Sequence, residues 1–154
     1  MKFEKASLDD AEQIQDLINY YARRNKLIQR SLAEIYECIR EYYVCKTMRG
    51  RIIGCCSLHI YWRDLAEVRA LAVARRFQNR GIGSTLVKKC IEEAKMLGIK
   101  KVFTLTYVPK FFEALGFRRI KKEELPMKVW AECIRCSKFQ NCDEIALIAN
   151  IRKV

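Results

Sequence analysis

Proline and glycine are scarce, with two and six among 154 residues, and neither gathers into a linker or a repeat. Fibrous and low-complexity architectures are excluded, and no break in composition suggests a boundary, so a single domain over 1–154 is expected, with a cysteine-bearing segment at 126–154. No apolar run nears the roughly 20 residues that a membrane-crossing helix needs. The opening Met1-Lys2-Phe3-Glu4-Lys5 lacks the apolar stretch of a secretion signal. A cytoplasmic protein without membrane association is expected. Gly-Lys-Ser/Thr does not occur, which excludes a nucleotide-hydrolysing P-loop.

Positive charge is what the chain has in excess: 30 Lys and Arg against 18 Asp and Glu, a formal net charge of +12. Nucleic acid, acidic lipid and phosphorylated cofactors all suit such a surface. The basic residues are spread along the chain with no run of five or six. An aromatic-basic RNA motif and a zinc-finger pattern are both lacking, so specific nucleic-acid readout is not expected. A cationic nucleic-acid-binding module is the non-enzymatic alternative.

Of eight cysteines, Cys38, Cys45, Cys55, Cys56 and Cys90 fall inside apolar patterned segments, where thiols act as small buried hydrophobes. Cys133-x-x-Cys136-x5-Cys142 stands apart. It has half of a zinc-knuckle spacing, and a structural zinc would need a fourth ligand from Asp143, Glu144 or the only histidine, His59. Free thiols are the competing reading.

Periodicity orders the rest. A short strand at 2–6 precedes a helix capped by Ser7, with Asp9 and Asp10 in its first turn and a stripe of Ile14, Leu17, Ile18 and Tyr21. Ser31-x-x-Glu34 reads as a capping box that opens a second helix. Two β-rich runs around the Arg49-Gly50 turn predict a hairpin, followed by a strand from Leu65 to Val73. In that strand Glu67, Arg69, Leu71 and Val73 share a face. A helix over about 82–97 leads by a right-handed crossover to a parallel strand at 99–107. A short helix from Pro109, a strand at 117–120 and a final strand at 143–151 complete the series.

The richest stretch is Arg75-Arg76-Phe77-Gln78-Asn79-Arg80-Gly81-Ile82-Gly83-Ser84. A basic, glycine-bearing turn between a strand and a helix puts backbone N–H groups and the positive end of a helix dipole in one place, which suits phosphate. A dinucleotide fingerprint does not fit, because one of its three glycines is missing.

Gln78-x-x-Gly81-x-Gly83, with Phe112-Glu113-Ala114-Leu115-Gly116-Phe117 downstream, resembles the GCN5-related N-acetyltransferase (GNAT) family. The resemblance implies an α/β (α+β) fold: a mixed, mostly antiparallel sheet of six to seven strands, about four flanking helices and splayed central parallel strands. It implies acetyl-CoA as cofactor, with the pyrophosphate on Gln78, Asn79, Arg80, Gly81, Ile82, Gly83 and Ser84. The pantetheine arm would lie along Leu71, Ala72 and Val73. Glu67 matches the family's general base, although a strand carboxylate paired with Arg69 or Arg63 is an equal reading. Phe112 stands where the family has its acidic Tyr, so Tyr107 or water must serve.

Leu27-Ile28-Gln29-Arg30-Ser31-Leu32 and the cysteine-bearing tail are similar to the acetylglutamate synthase branch of amino-acid N-acetyltransferases. L-Glutamate is therefore the expected acceptor, within arginine biosynthesis. Its carboxylates call for fixed cations, and Arg30 and then Arg69 are the candidates. Protein or peptide N-acetylation is the enzymatic alternative, and a homodimer is compatible with the resemblance.

Overall fold

The computed structural model describes residues 1–126, 129 and 143–151. Its strands are β1 (Lys2–Lys5), β2 (Tyr42–Lys46), β3 (Ile52–Trp62), β4 (Leu65–Val73), β5 (Lys101–Thr106), β6 (Arg118–Ile120) and β7 (Ile145–Asn150). The α-helices are α1 (Ala11–Ala22), α2 (Leu32–Glu37), α3 (Ile82–Leu97) and α4 (Pro109–Ala114). The sheet runs β1-β2-β3-β4-β5-β7-β6. β1–β2, β2–β3, β5–β7 and β6–β7 are antiparallel, and β4–β5 is the parallel pair that the crossover through α3 demands. The fold expected from the resemblance is the one observed.

The chain divides into two compact units, Met1–His59 with Val68–Glu93 and Ile60–Glu67 with Ala94–Val154. In the first, the predicted α1 stripe is buried: Ile14 and Ile18 have no exposed surface, and they pack in one cluster with Ile35 of α2 and Val44 of β2. Ser31 caps α2 by accepting from the Glu34 N–H at 3.1 Å. The first turn of α3 sits close on β3 because residue 54 is glycine. A Cβ there would lie 3.0 Å from Ile82 Cγ2 and 3.1 Å from Leu86 Cδ1. α3 buries Ile82, Leu86, Val87, Cys90 and Ala94, whereas Leu97 is 53% exposed. It is the helix's last residue, and Gly98 turns the chain there with φ +79°.

Asp10 closes the start of α1 onto the sheet. Its Oδ2 accepts from the Ser7 N–H at 2.9 Å and its Oδ1 meets Lys46 Nζ at 2.9 Å. Burial opposes the Asp10 charge, but the Ser7 amide and Lys46 outweigh it and hold the carboxyl below its ordinary 3.8. A lowered folded value means stability that is complete above about pH 5 and lost as pH falls through the folded pKa. The urea midpoint should therefore drop between pH 7 and pH 3. Asp10→Asn should cost about 1–3 kcal/mol at pH 7 and flatten that acid limb.

In the second unit β5 pairs with β7 from Lys101↔Asn150 to Thr106↔Ile145, and β6 joins from the other side of β7. Phe103 is fully buried in a cluster with Tyr61, Leu65 and Ala146. The parallel register runs from Leu65↔Lys101 to Glu67↔Phe103. β5 ends at Thr106, short of a partner for Leu71–Val73 in that register.

Candidate active site

The phosphate-suited turn forms as expected, and its backbone explains the residues it uses. A 3-10 turn at Arg75–Phe77 follows β4, Asn79 takes φ 61° and Gly81 φ 80°. At Gly81 an added Cβ would meet nothing within 4 Å, so it is the left-handed backbone, and no neighbour, that calls for glycine. The first intrahelical bond of α3 is Thr85 N–H to Gly81 O at 3.0 Å. The N–H groups of Ile82, Gly83 and Ser84 precede it, at the positive end of a 16-residue helix. Arg75, Arg76 and Arg80 are exposed around this turn, and Arg80 lies over the Phe77 ring at 5.3 Å. This donor set fits a pyrophosphate.

Gln78, the first residue of the motif, is engaged in a way its spacing does not foretell. Its Nε2 donates to the Tyr21 hydroxyl at 2.7 Å and to the Val73 carbonyl at 3.3 Å, and the Tyr21 hydroxyl itself donates to the Val73 carbonyl. Upstream on β4, Ala70 takes φ 57° inside the strand. The neighbouring carbonyls are met by β3 side chains: Ser57 Oγ donates to Arg69 O at 3.2 Å and Cys55 Sγ to Ala70 O at 3.4 Å. A strand residue held left-handed is a local irregularity that sequence reasoning missed, because alanine carries no signal for it.

Burial raises the Tyr42 phenol, and the charges of Arg30 and Arg69 both pull against it. Burial and then Glu41 raise the Cys38 thiol, again with Arg69 and Arg30 opposing. The Arg30 side chain is 21% exposed and lies 3.7 Å from Glu34 Oε2. Its backbone is tied to α1 by Asn19 Oδ1 and Gln15 Nε2, each at 3.4 Å.

Beside Arg69, His59 Nδ1 lies 2.7 Å from Glu41 Oε1 and 3.1 Å from Arg69 Nη2. Burial opposes the Glu41 charge, but His59 and Arg69 outweigh it and hold the carboxyl below its ordinary range. An ionised Glu41 can only accept, so Nδ1 carries the proton it donates there. The guanidinium, also a donor only, lies against the pair through its attraction to Glu41. The sequence offers His59 only as a candidate zinc ligand, and Glu41 carries no signal there.

In the second unit Glu67 is 7% exposed on β4, and its Oε1 accepts from the Tyr61 hydroxyl at 3.0 Å. Tyr61 in turn packs on Phe103, ring centroids 5.5 Å apart. Tyr107 directly follows β5 and is half-buried. Phe112 is 2% exposed and stacks edge-on with Phe111 and Phe117, so the residue at the family's acidic-Tyr position is core. Among the described residues no group of three His, Cys, Asp or Glu could hold a metal. The zinc expectation on Cys133, Cys136 and Cys142 lies outside the described residues.

The model of the acetyltransferase (GNAT) family matches residues 9–117, which takes in α1, the turn and the Phe112–Phe117 segment. The chain belongs to the GNAT family. A GNAT relative, an N-acetyltransferase of Chlorobaculum tepidum, is 39% identical over 146 residues, 95% of this chain and 94% of that protein. An amino-acid acetyltransferase of Mycobacterium tuberculosis is 32% identical over 133 residues, 85% of this chain and 76% of that one. Among solved GNAT structures, a Mycobacterium tuberculosis protein in complex with CoA has a TM-score of 0.86 at 26% identity, covering 99% of this chain and 100% of that chain. The N-acetylglutamate synthase of Neisseria gonorrhoeae, complexed with coenzyme A and N-acetyl-glutamate, has a TM-score of 0.90 at 23% identity. That match covers 99% of this chain and 35% of that one, and it shows the fold alone. The GNAT chain described here is an N-acetyltransferase. No helix among the described residues is long and apolar enough to cross a membrane.

Proposed function

We propose that the chain is one N-acetyltransferase domain that acetylates the α-amino group of L-glutamate from acetyl-CoA, the opening step of arginine biosynthesis. The observation that carries the acceptor is a pair of part-buried arginines in the first unit, Arg30 with its backbone held by Asn19 and Gln15, and Arg69 with Nη2 3.1 Å from His59 Nδ1. Two planar forks match the two carboxylates of glutamate. The names of the amino-acid acetyltransferase relatives support the same reading.

Acetyl-CoA, when bound, supplies the acetyl group as a thioester. The first-turn amides of Ile82, Gly83 and Ser84, with Asn79, Arg80 and Gly81, hold its pyrophosphate, and Leu71–Val73 offer backbone partners to its arm. Arg30 and Arg69 orient the amino acid. Glu67, fixed at one oxygen by Tyr61, takes a proton from the acceptor's nitrogen. Tyr107 holds a proton at its hydroxyl for the departing sulfur.

Thiol release from acetyl-CoA should be measured against a panel of amino acids and short peptides. Glutamate should give the highest kcat/KM, by tenfold or more over aspartate and glutamine. Absence of thiol release with glutamate would sink the assignment, and release with peptides alone would favour protein N-acetylation.

A further inference from the structure

The carbonyl of Val73 is the last acceptor on β4, and its direction is set by the peptide it belongs to. The N–H of that same peptide, on Ala74, donates back to Ile53 O of β3 at 2.7 Å. The Val73 carbonyl therefore points away from β3. Two donors converge on it, the Tyr21 hydroxyl and Gln78 Nε2, which together use both of its lone pairs.

The two donors differ in how firmly they are held. Tyr21 is 9% exposed, in the core cluster of the first unit, and meets the Tyr20 ring edge-on at 5.0 Å. Burial raises its phenol even against the Gln78 bond and the charges of Arg75 and Arg24, so the hydroxyl keeps its proton and remains a donor. Gln78 is exposed, and its bond to Val73, at 3.3 Å, is longer than its 2.7 Å bond to Tyr21. One donor is built in, and the other lies across the edge from solvent.

We propose that Tyr21 is a positioning residue for the amide-bearing arm of acetyl-CoA, and that Gln78 is a latch on the strand edge where the arm pairs. Tyr21 keeps the Val73 carbonyl aimed outward. Gln78 gives up its bond to that carbonyl, so that Val73 can accept from an arm amide N–H, and keeps its bond to the Tyr21 hydroxyl. The proposal rests on the acetyl-CoA reading above.

Calorimetric titration with CoA, and separately with 3′,5′-ADP, which has the 3′-phosphate and one phosphate of the pyrophosphate but no arm, tests both residues. Tyr21→Phe should weaken CoA about three- to tenfold, the worth of one neutral hydrogen bond. Gln78→Ala should tighten CoA by about twofold or more, because one fewer bond must be broken. Tyr21→Phe should leave the affinity for 3′,5′-ADP unchanged. Equal CoA affinity in all three proteins overturns the proposal, as does weakening by Gln78→Ala, which would make Gln78 a direct ligand. A loss of 3′,5′-ADP in step with CoA in Tyr21→Phe reduces Tyr21 to a general structural role and overturns it too. Failure of the unaltered protein to bind CoA is a separate result and removes the acetyl-CoA reading itself.

Discussion

Glu67→Gln should lower turnover at neutral pH by about 10²-fold or more while leaving the Kd for acetyl-CoA unchanged. The acceptor amine is protonated at neutral pH and must lose a proton to attack, and Glu67 is the buried carboxylate proposed to receive it. Glutamine keeps the volume and an oxygen that the Tyr61 hydroxyl can still reach, so the strand should pack as before and only the proton-accepting capacity is lost. The deficit should shrink at alkaline pH, where more of the amine is already neutral in solution. Steady-state kcat across pH, beside a thermal melt of the variant, reads this directly. An unchanged kcat at neutral pH would return Glu67 to the role of a strand carboxylate.

Arg30→Ala should raise the KM for glutamate by about 10- to 100-fold, with kcat and the KM for acetyl-CoA each within a small factor of the parent. A guanidinium–carboxylate contact is charge-assisted and bidentate, hence the size of the effect. The fold should tolerate the change. Arg30 pairs with Glu34 at i,i+4 on the surface, a contact worth about 0.3–0.5 kcal/mol, and the backbone of residue 30 is held independently by Asn19 and Gln15. Arg30→Lys should recover only part of the loss, because an ammonium cannot match both carboxylate oxygens. A variant with an unaltered glutamate KM would move the acceptor site away from the loop between α1 and α2.

The elements were legible from local chemistry because each has a short-range cause. Ser7 with Asp10 and Ser31 with Glu34 start the first two helices through bonds only three residues long. Gly98 ends α3 by adopting φ +79°, and in β4 the half-buried Leu71 and Val73 alternate with the buried Ala70 and Ala72. The turn at Arg75–Ser84 was legible for the same reason. Glycine at a left-handed position followed at once by a helix start is a local geometry, and its chemistry does not depend on what packs behind it.

The contacts that decide how site residues work were not legible, since they join residues far apart in the chain through rotamers that only packing selects. Tyr21 read as one more member of an apolar stripe, and its hydroxyl is found on a carbonyl 52 residues away. Tyr61 and Glu67, close in sequence, meet across a β-turn at a position set by Phe103 behind them. Glu41 and His59 had no visible relation to Arg69. The sequence alone determined the order of elements, the family and a turn suited to phosphate, because those follow from periodicity, capping and backbone freedom. Tertiary structure alone decided which carbonyl Tyr21 holds, what grips Glu67 and what meets Arg69, because a side chain's reach and partners depend on the surfaces that close around it.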